Sequence, residues 1–374
     1  MASSLRERLR AAAPVSKPQT PRAVDCYLRE SVTPLEAFSL PEAIAGETLF
    51  LLQGRDYPDC RREDILFLDT ETTGLSHGAG TVAFLVGLGF FAQDGFHVRQ
   101  YMMRDYDEEP FLLQAVAQAL PRFRVLCTFN GLSFDMPLLE ARITMQRMRM
   151  TDSMPHVDLL HTARRVWKLR LRRCNLTALE EAVLGMERTD DLPGALVPER
   201  YFQYLKTHDF SLLEDVLRHN AQDIVSLAHI MSRLMTLHAA PLSADEPEDL
   251  LSLGCVMEKR GRDDLARVCY RAADRDALST MARLRLAESY RKSGEWNEAA
   301  QVYNRMIACR QGAAYPMVAM AKICEHKTRD IARALDYTKK AILYAADDLN
   351  ADMGALQKRY QRLLYKARRK KTWD

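Results

Sequence analysis

A mixed β-sheet flanked by helices, followed by an all-helical domain, is the fold class this sequence predicts. Three observations predict it. Buried-strand runs and helical runs alternate between residues 64 and 160. An Asp94-Gly95 step joins two of the strand runs as a hairpin does. Beyond residue 250 strand-like runs cease, and helical segments recur at a fixed offset. The 374 residues suffice for two domains of ordinary size plus linkers.

Taken in order, residues 1–60 are Pro-punctuated and weakly periodic, and read as a partly disordered N-terminal arm. Within it, TLFLLQ (48–53) is a short apolar piece that pairs with or packs on the next domain. DILFLDTETTG, starting at Asp64, reads as a buried strand ending in polar residues. TVAFLVGLGFF (81–91) and GFHVRQYMM (95–103) are a second and a third strand, the second antiparallel to its neighbours. EEPFLLQAVAQALPRF (108–123) has helical spacing with acids in its first turn. RVLCTFNG (124–131) is another buried strand, SFDMPLLEARITMQRMR (133–149) an amphipathic helix, and HVDLL (156–160) a short final strand. Residues 161–236 read as mostly helical, so the sheet domain is expected over 61–238.

LSADEPEDL (242–250) marks a break in composition, and the helical domain is expected over 247–374. LLSLGCVMEKRGRDDLARVCYRAA and LRLAESYRKSGEWNEAAQVYNRM align at an offset of 33 residues. Gly254 falls on Ala287, Gly261 on Gly294, Ala266 on Ala299 and Tyr270 on Tyr303; MAKICEHKTRDIARALDYTKKAI adds a third copy with one inserted residue. Small residues at fixed positions let paired helices approach, and an aromatic fills the groove between neighbours. The spacing and residue types resemble tetratricopeptide repeats, which implies a protein partner. The tail, LQKRYQRLLYKARRKKTWD, reads as a basic terminal helix.

Composition narrows the class. Apolar residues make up 47%, so a packed globular protein is expected. No apolar run reaches the roughly 20 residues that span a bilayer. MASSLRERLRAAAPVSKPQTPRAV has no apolar h-region; a disordered arm is expected rather than a secretory or transit signal. The eight scattered cysteines form no CxxC or zinc-spaced cluster, so buried free thiols in a reducing cytoplasm are expected. The net charge of +3 neither requires nor excludes a nucleic-acid partner, which leaves the local distribution to decide.

Asp69 and Glu71 stand one residue apart where the first buried strand emerges. Positions i and i+2 of a strand share a face, so both carboxylates project together. Two like charges there are costly unless a cation neutralises them, and hard divalent ions take such oxygen ligands. In FNGLSFDMP, Asn130-Gly131 turns the chain and Asp135 sits near the next helix start, as a site acid or as a first-turn cap. In HNAQDIVSL, Asp223 lies beside an apolar stripe, as a site acid or as an exposed helical Asp.

The combination is more specific than its parts. D-x-E after a buried strand, N-G-x-x-F-D after a later one and H-N-x-x-D on a late helix resemble, in order and spacing, the three motifs of the DEDD exonuclease superfamily. FNGLSFD is close to the second exonuclease motif of family-B polymerase proofreading domains. The run from FLDTETTGL through GAGTVAFLVGLGFF to HNAQD looks like the YprB-type ribonuclease-H-like domain, over residues 64–236. The resemblance implies a ribonuclease-H-like fold and a 3′→5′ exonuclease on single-stranded DNA or RNA. It implies two Mg²⁺ or Mn²⁺ ions held by Asp69, Glu71, Asp135 and Asp223. Two such ions supply the activated water, the charge stabilisation and the leaving-group help that phosphodiester hydrolysis needs.

His219 lies one helical turn before Asp223, where the superfamily carries a Tyr, or a His one residue further back. It is either the base that takes a proton from water or a satisfied helix histidine. Asp158 in HVDLLH reads as a strand-end acid that extends the acidic site or, the more expected of the two, makes a structural hydrogen bond. Thr72, Thr73 and Gly74 follow the D-x-E turn and, with Asn130, are expected to contact substrate; Leu75 is expected to wedge against the last base, as an apolar residue does in the nucleases this chain resembles. RRVWKLRLRR (164–173) holds six basic residues and Trp167, a mixture that neutralises phosphates while stacking a base, or else a solvated basic face. KARRKK near the C-terminus is a second phosphate contact of the same kind. Two other functions stay open: a catalytically inactive scaffold that binds protein through its repeats, and a structure-specific endonuclease on the same fold.

Overall fold

A computed structural model describes residues 25–74, 80–150, 154–188, 192–345 and 352–371. These divide into two compact units, one from residues up to 42, 60–158 and 187–229, the other from 43–59, 159–186 and 230 onward.

The first unit is built on a six-stranded sheet. Its strands are β1 (Tyr27–Thr33), β2 (Ile65–Thr72), β3 (Ala83–Ala92), β4 (Gly95–Met102), β5 (Val125–Thr128) and β6 (His156–Asp158), in the order β1-β4-β3-β2-β5-β6. The two hairpin-linked pairs and the β1 edge are antiparallel; β2 pairs with β5, and β5 with β6, in parallel. A parallel pair needs a crossover, and the two helical runs of the sequence supply it. They are α1 (Glu109–Ala119) before β5 and α2 (Asp135–Met145) before β6. The first four residues of β2 are buried on both faces, as a central strand requires. Leu66, Leu68, Phe84, Val86, Leu112 and Leu139 lie in one apolar cluster between sheet and helices. This is the mixed sheet flanked by helices that the sequence predicts.

β1 is an addition. YLRESVT lacks alternation, and five of its seven residues are exposed. It is an edge strand held by backbone bonds to β4, so no burial pattern marks it.

α3 (Val197–Thr207) stacks Tyr201 on Phe84 of β3, with ring centroids 4.0 Å apart. α4 (Ser211–Ala239) runs through both units, and its residues up to His229 belong to the first. Two glycines on β3 let it lie close to the sheet. A Cβ at Gly87 would overlap the Asn220 carboxamide, and one at Gly89 would overlap Ile224. A close helix–sheet approach of this kind tolerates no side chain.

Apart from a two-residue strand at Ala43–Ile44, the second unit is helical and irregular among its described residues. It contains the short helices Gly46–Gln53 and Leu159–Trp167, then α5 (Pro247–Lys259), α6 (Asp263–Ala272), α7 (Ser279–Lys292), α8 (Trp296–Ala308), α9 (Tyr315–His326), α10 (Ile331–Ala345) and α11 (Met353–Lys371). The positions that repeat in sequence have physical roles. Ala266, Ala287 and Ala299 are fully buried, as are the rings of Tyr270 and Tyr303. A Cβ on Gly254 would strike the Tyr270 ring. Gly261 and Gly294 end α5 and α7 with φ of 72° and 77°, a left-handed turn that favours glycine. The apolar piece TLFLLQ lies in Gly46–Gln53 and buries Leu49, Leu51 and Leu52.

Two basic-segment expectations are corrected here. Trp167 is 1% exposed, so it is core rather than a stacking platform. Its helix has an amphipathic apolar face, and the ring falls on it. Arg170 leaves the phosphate-contact set as well, because it grips Asp249 through both carboxylate oxygens at 2.9–3.1 Å. In the C-terminal run, Lys366 is 2.8 Å from the buried Glu325, which Arg359 and Arg362 also reach.

Candidate active site

Strand alternation puts Asp69 and Glu71 of β2 on one face. Asp69 sits opposite Gly87 in the β2–β3 register, and Glu71 opposite Leu85, just before a bulge, after which Thr72 pairs with Ala83. The missing side chain at Gly87 admits Asn220, whose amide donates to Asp69 Oδ2 at 2.9 Å. Gln100 on β4 donates in turn to Asn220 Oδ1 at 3.0 Å and to the Leu217 carbonyl at 2.7 Å. This relay fixes the Asn220 amide with its N–H toward the acid. Burial pushes the Asp69 carboxyl well above its usual range, and repulsion from Asp223, Glu71 and Asp135 adds to it; the Asn220 hydrogen bond works the other way.

Asp223 is one turn beyond His219 on α4. Ligand atoms of Glu71, His219 and Asp223 all lie within 4.8 Å of one another. His219 Nε2 is 3.6 Å from Asp223 Oδ2 and 4.0 Å from Glu71 Oε1. Arg188 enters from the preceding loop, pairs with Asp223, and donates to His219 Nδ1 at 3.1 Å. A guanidinium only donates, so Nδ1 accepts and the ring proton sits on Nε2, facing the carboxylates. No sequence signal marks Arg188: it lies in a loop 35 positions before Asp223, and only the fold joins them.

Asp135 opens α2 and accepts from the Thr70 hydroxyl of β2 at 2.5 Å. It is 5% exposed, and burial lifts its pKa to about 6 despite that hydrogen bond. Asp69 and Asp135 stand outside the close Glu71–His219–Asp223 group, but the charges of all four acids act on one another at Asp69. Asn130 takes φ of 70° at the turn after β5. Asp158, fully buried, accepts from the Asn130 and Leu132 amides at 2.9 and 3.2 Å and so pins the turn that presents Asp135. Thr72 donates to the Gly74 carbonyl at 2.8 Å, and the Thr73 hydroxyl accepts from the Val82 amide at 3.0 Å, so both hydroxyls are engaged within their own turn. Leu75 lies outside the described residues.

The donor set fits a hard divalent cation. Carboxylates crowd one another in low dielectric, and the Asp69 carboxyl is driven toward its protonated form for want of positive charge. Arg188 meets part of that demand at Asp223.

Residues 66–235 match the RNase_H_2 family, described as RNase_H superfamily. A family B DNA polymerase from the hyperthermophilic archaeon Pyrobaculum calidifontis is similar in structure over 55% of this chain and 30% of that chain, at 14% identity and a TM-score of 0.38. Over 341 residues the chain is 30% identical to the Bacillus subtilis (strain 168) protein "Uncharacterized protein YprB", spanning 86% of this chain and 81% of that one. The chain therefore belongs to the YprB family, with a ribonuclease-H-like domain of the RNase_H superfamily ahead of a helix-rich C-terminal region.

Proposed function

We propose that this protein is a divalent-metal-dependent 3′→5′ exonuclease that hydrolyses single-stranded DNA or RNA. The observation that carries the reading is geometric: Asp69 and Glu71 share one face of β2, the Glu71, His219 and Asp223 ligand atoms lie within 4.8 Å of one another, and Asp135 is held to the same strand by Thr70. Asp69, Glu71 and Asp223 are assigned as ligands of two Mg²⁺ or Mn²⁺ ions, with Asp135 completing the set. When bound, such ions activate the attacking water and neutralise charge on the phosphate and the leaving oxygen. Asn220 holds the Asp69 carboxylate in place, and Thr70 does so for Asp135. His219, with its proton on Nε2, is assigned to donate a hydrogen bond that orients the attacking water or a phosphate oxygen; it acts as the base only when Nδ1 carries the proton in place of the Arg188 contact. The backbone around Thr72, Thr73, Gly74 and Asn130 is assigned to substrate contact. In this reading the nuclease domain covers 61–238, and tetratricopeptide-like repeats over 247–374 recruit a protein partner. Free thiols at all eight cysteines suit a reducing cytoplasm.

The test is hydrolysis of end-labelled single strands with Mg²⁺ or Mn²⁺. Wild type is expected to shorten them from a free 3′ end, and Asp69→Asn to leave them intact. Equal shortening by both would sink the assignment. Cleavage of a circular single strand would move the reading to an endonuclease. A non-catalytic scaffold is favoured by one observation: Arg188 supplies Asp223 with a resident cation. A wild type whose melting temperature ignores Mn²⁺ would support that second reading.

A further inference from the structure

The helical unit holds a cavity of about 400 Å³, within the roughly 300–1,000 Å³ range of ligand sites. Four cations line it: Arg165 and Lys168 from the end of Leu159–Trp167, Lys259 from α5 and Arg285 from α7. No carboxylate lines it, and none of the four makes an ion pair among the described residues. Glu258, whose charge reaches Arg285, is already engaged by Lys292 and Tyr270. Arg165 donates to the Leu52 carbonyl at 3.0 Å and to Thr162 at 3.1 Å, while its Nε is buried without a hydrogen-bond partner. Arg260 adds a fifth cation beside it, held by the Leu51 carbonyl. The rest of the wall is mostly apolar, with Leu251, Val256 and Met281 among it.

Uncompensated like charges around an apolar floor call for an anion that also carries an apolar face. The geometry points to a nucleic-acid subsite in the helical unit, where Arg165, Lys168, Lys259 and Arg285 hold the phosphodiester backbone of a single strand and a sugar or base rests on Leu251, Val256 and Met281. This deepens the proposed function, on whose nucleic-acid substrate it rests. The segment that supplies Arg165 and Lys168 is the same basic run the sequence singles out, with its cations rather than its tryptophan facing the cavity.

The test uses the full chain with a labelled single-stranded oligonucleotide and EDTA, which suppresses hydrolysis, read by fluorescence anisotropy against salt. Lys168 and Lys259 are exposed, so the double variant Lys168→Glu/Lys259→Glu is expected to fold. Losing two phosphate contacts is expected to weaken binding at least about tenfold and to reduce the log–log salt slope by about 1.4, at about 0.7 per contact for single strands. Lys322→Glu, an exposed lysine outside the cavity, is expected to bind as wild type does. Unchanged affinity and slope in the double variant overturn the subsite, as does a wild type that binds no strand. Inorganic phosphate or a mononucleotide that displaces the strand at strand-like concentrations overturns it in favour of a small-anion pocket; equal competition by polyglutamate overturns it in favour of an acidic peptide. The two readings fail separately. Strand binding lost in the double variant, with no hydrolysis by wild type, keeps the subsite and removes the exonuclease. Hydrolysis by wild type with unchanged binding in the variant does the reverse.

Discussion

The acidic cluster of the sheet unit and the basic cavity of the helical unit handle surplus charge differently. In the first, each acid that a side chain can reach has one: Asn220 on Asp69, Thr70 on Asp135, Arg188 on Asp223. In the second, Arg165 and the neighbouring Arg260 lean on backbone carbonyls, Leu52 and Leu51, which end a helix and carry its partial negative charge. Under the proposed function the contrast has a reason. Acids assigned to hold small ions need fixed positions to within fractions of an ångström. Cations assigned to a flexible polyanion need only surplus charge near an open surface.

Removing an acid breaks the comparison most severely. Asp69→Asn keeps shape but removes a charge, and hydrolysis is expected to fall by on the order of 10²-fold or more, the scale of a lost electrostatic stabiliser. The same variant relieves repulsion, so its metal-free melting temperature is expected to rise while the Mn²⁺-induced increase of wild type disappears. A differential scanning fluorimetry titration reads both. A variant that still shifts with Mn²⁺ as wild type does would show that Asp69 is no ligand.

Arg188 tests whether the cluster's internal cation matters. It is 8% exposed beside a 14% exposed Asp223. Arg188→Ala leaves Asp223 without its partner, and a loss of about 3 kcal/mol in metal-free stability is expected from a broken buried pair. The cation competing for Asp223 is gone as well, so half-maximal Mn²⁺ stabilisation is expected at lower concentration. Weaker Mn²⁺ binding would instead make Arg188 a support for the ligand geometry.

Much of this was legible in the sequence. Period-2 and period-3.6 runs located five strands and the helices between them, because each buries one face or two. D-x-E at a strand end predicts a shared carboxylate face from alternation alone, and the register with Gly87 bears that geometry out. Arg188, Thr70 and Gln100 were not legible, since their partners lie 35, 65 and 120 positions away and only tertiary packing joins them. β1 escaped because an exposed edge strand needs no apolar alternation. Trp167 was misread because a basic neighbourhood in sequence does not say which side of a helix a ring takes.

Asn220 asks how far the fixing of the acids depends on one relay. It is fully buried and joins Asp69 to Gln100. Asn220→Ala strands the Gln100 amide and one acid oxygen, so a loss of roughly 1–3 kcal/mol is expected in urea unfolding. Asn220→Asp is expected to lose more without metal, because it adds a fifth acid, and to recover with Mn²⁺. No recovery would mean that the amide is needed for position rather than for charge.

The smallest expected effect tests the surplus positive charge of the helical unit. His238 is fully buried on α4, and Nδ1 donates to the Leu234 carbonyl at 2.7 Å. Burial, with Arg165 and Arg260 nearby, depresses its pKa from 6.5 to about 4. As pH falls below 6.5 the unfolded chain takes up a proton that the folded chain refuses until about 4. The stability from a neutral His238 is therefore complete above 6.5 and drains away as pH falls toward 4. Going from neutral to mildly acidic pH is expected to cost about 1–2 kcal/mol through this group, and His238→Asn is expected to remove that part of the pH dependence. A single strand bound in the cavity offsets the charge of Arg165, so His238 is expected to titrate at higher pH in the complex, read from its ring proton resonances. An identical titration with and without strand would separate His238 from the cavity.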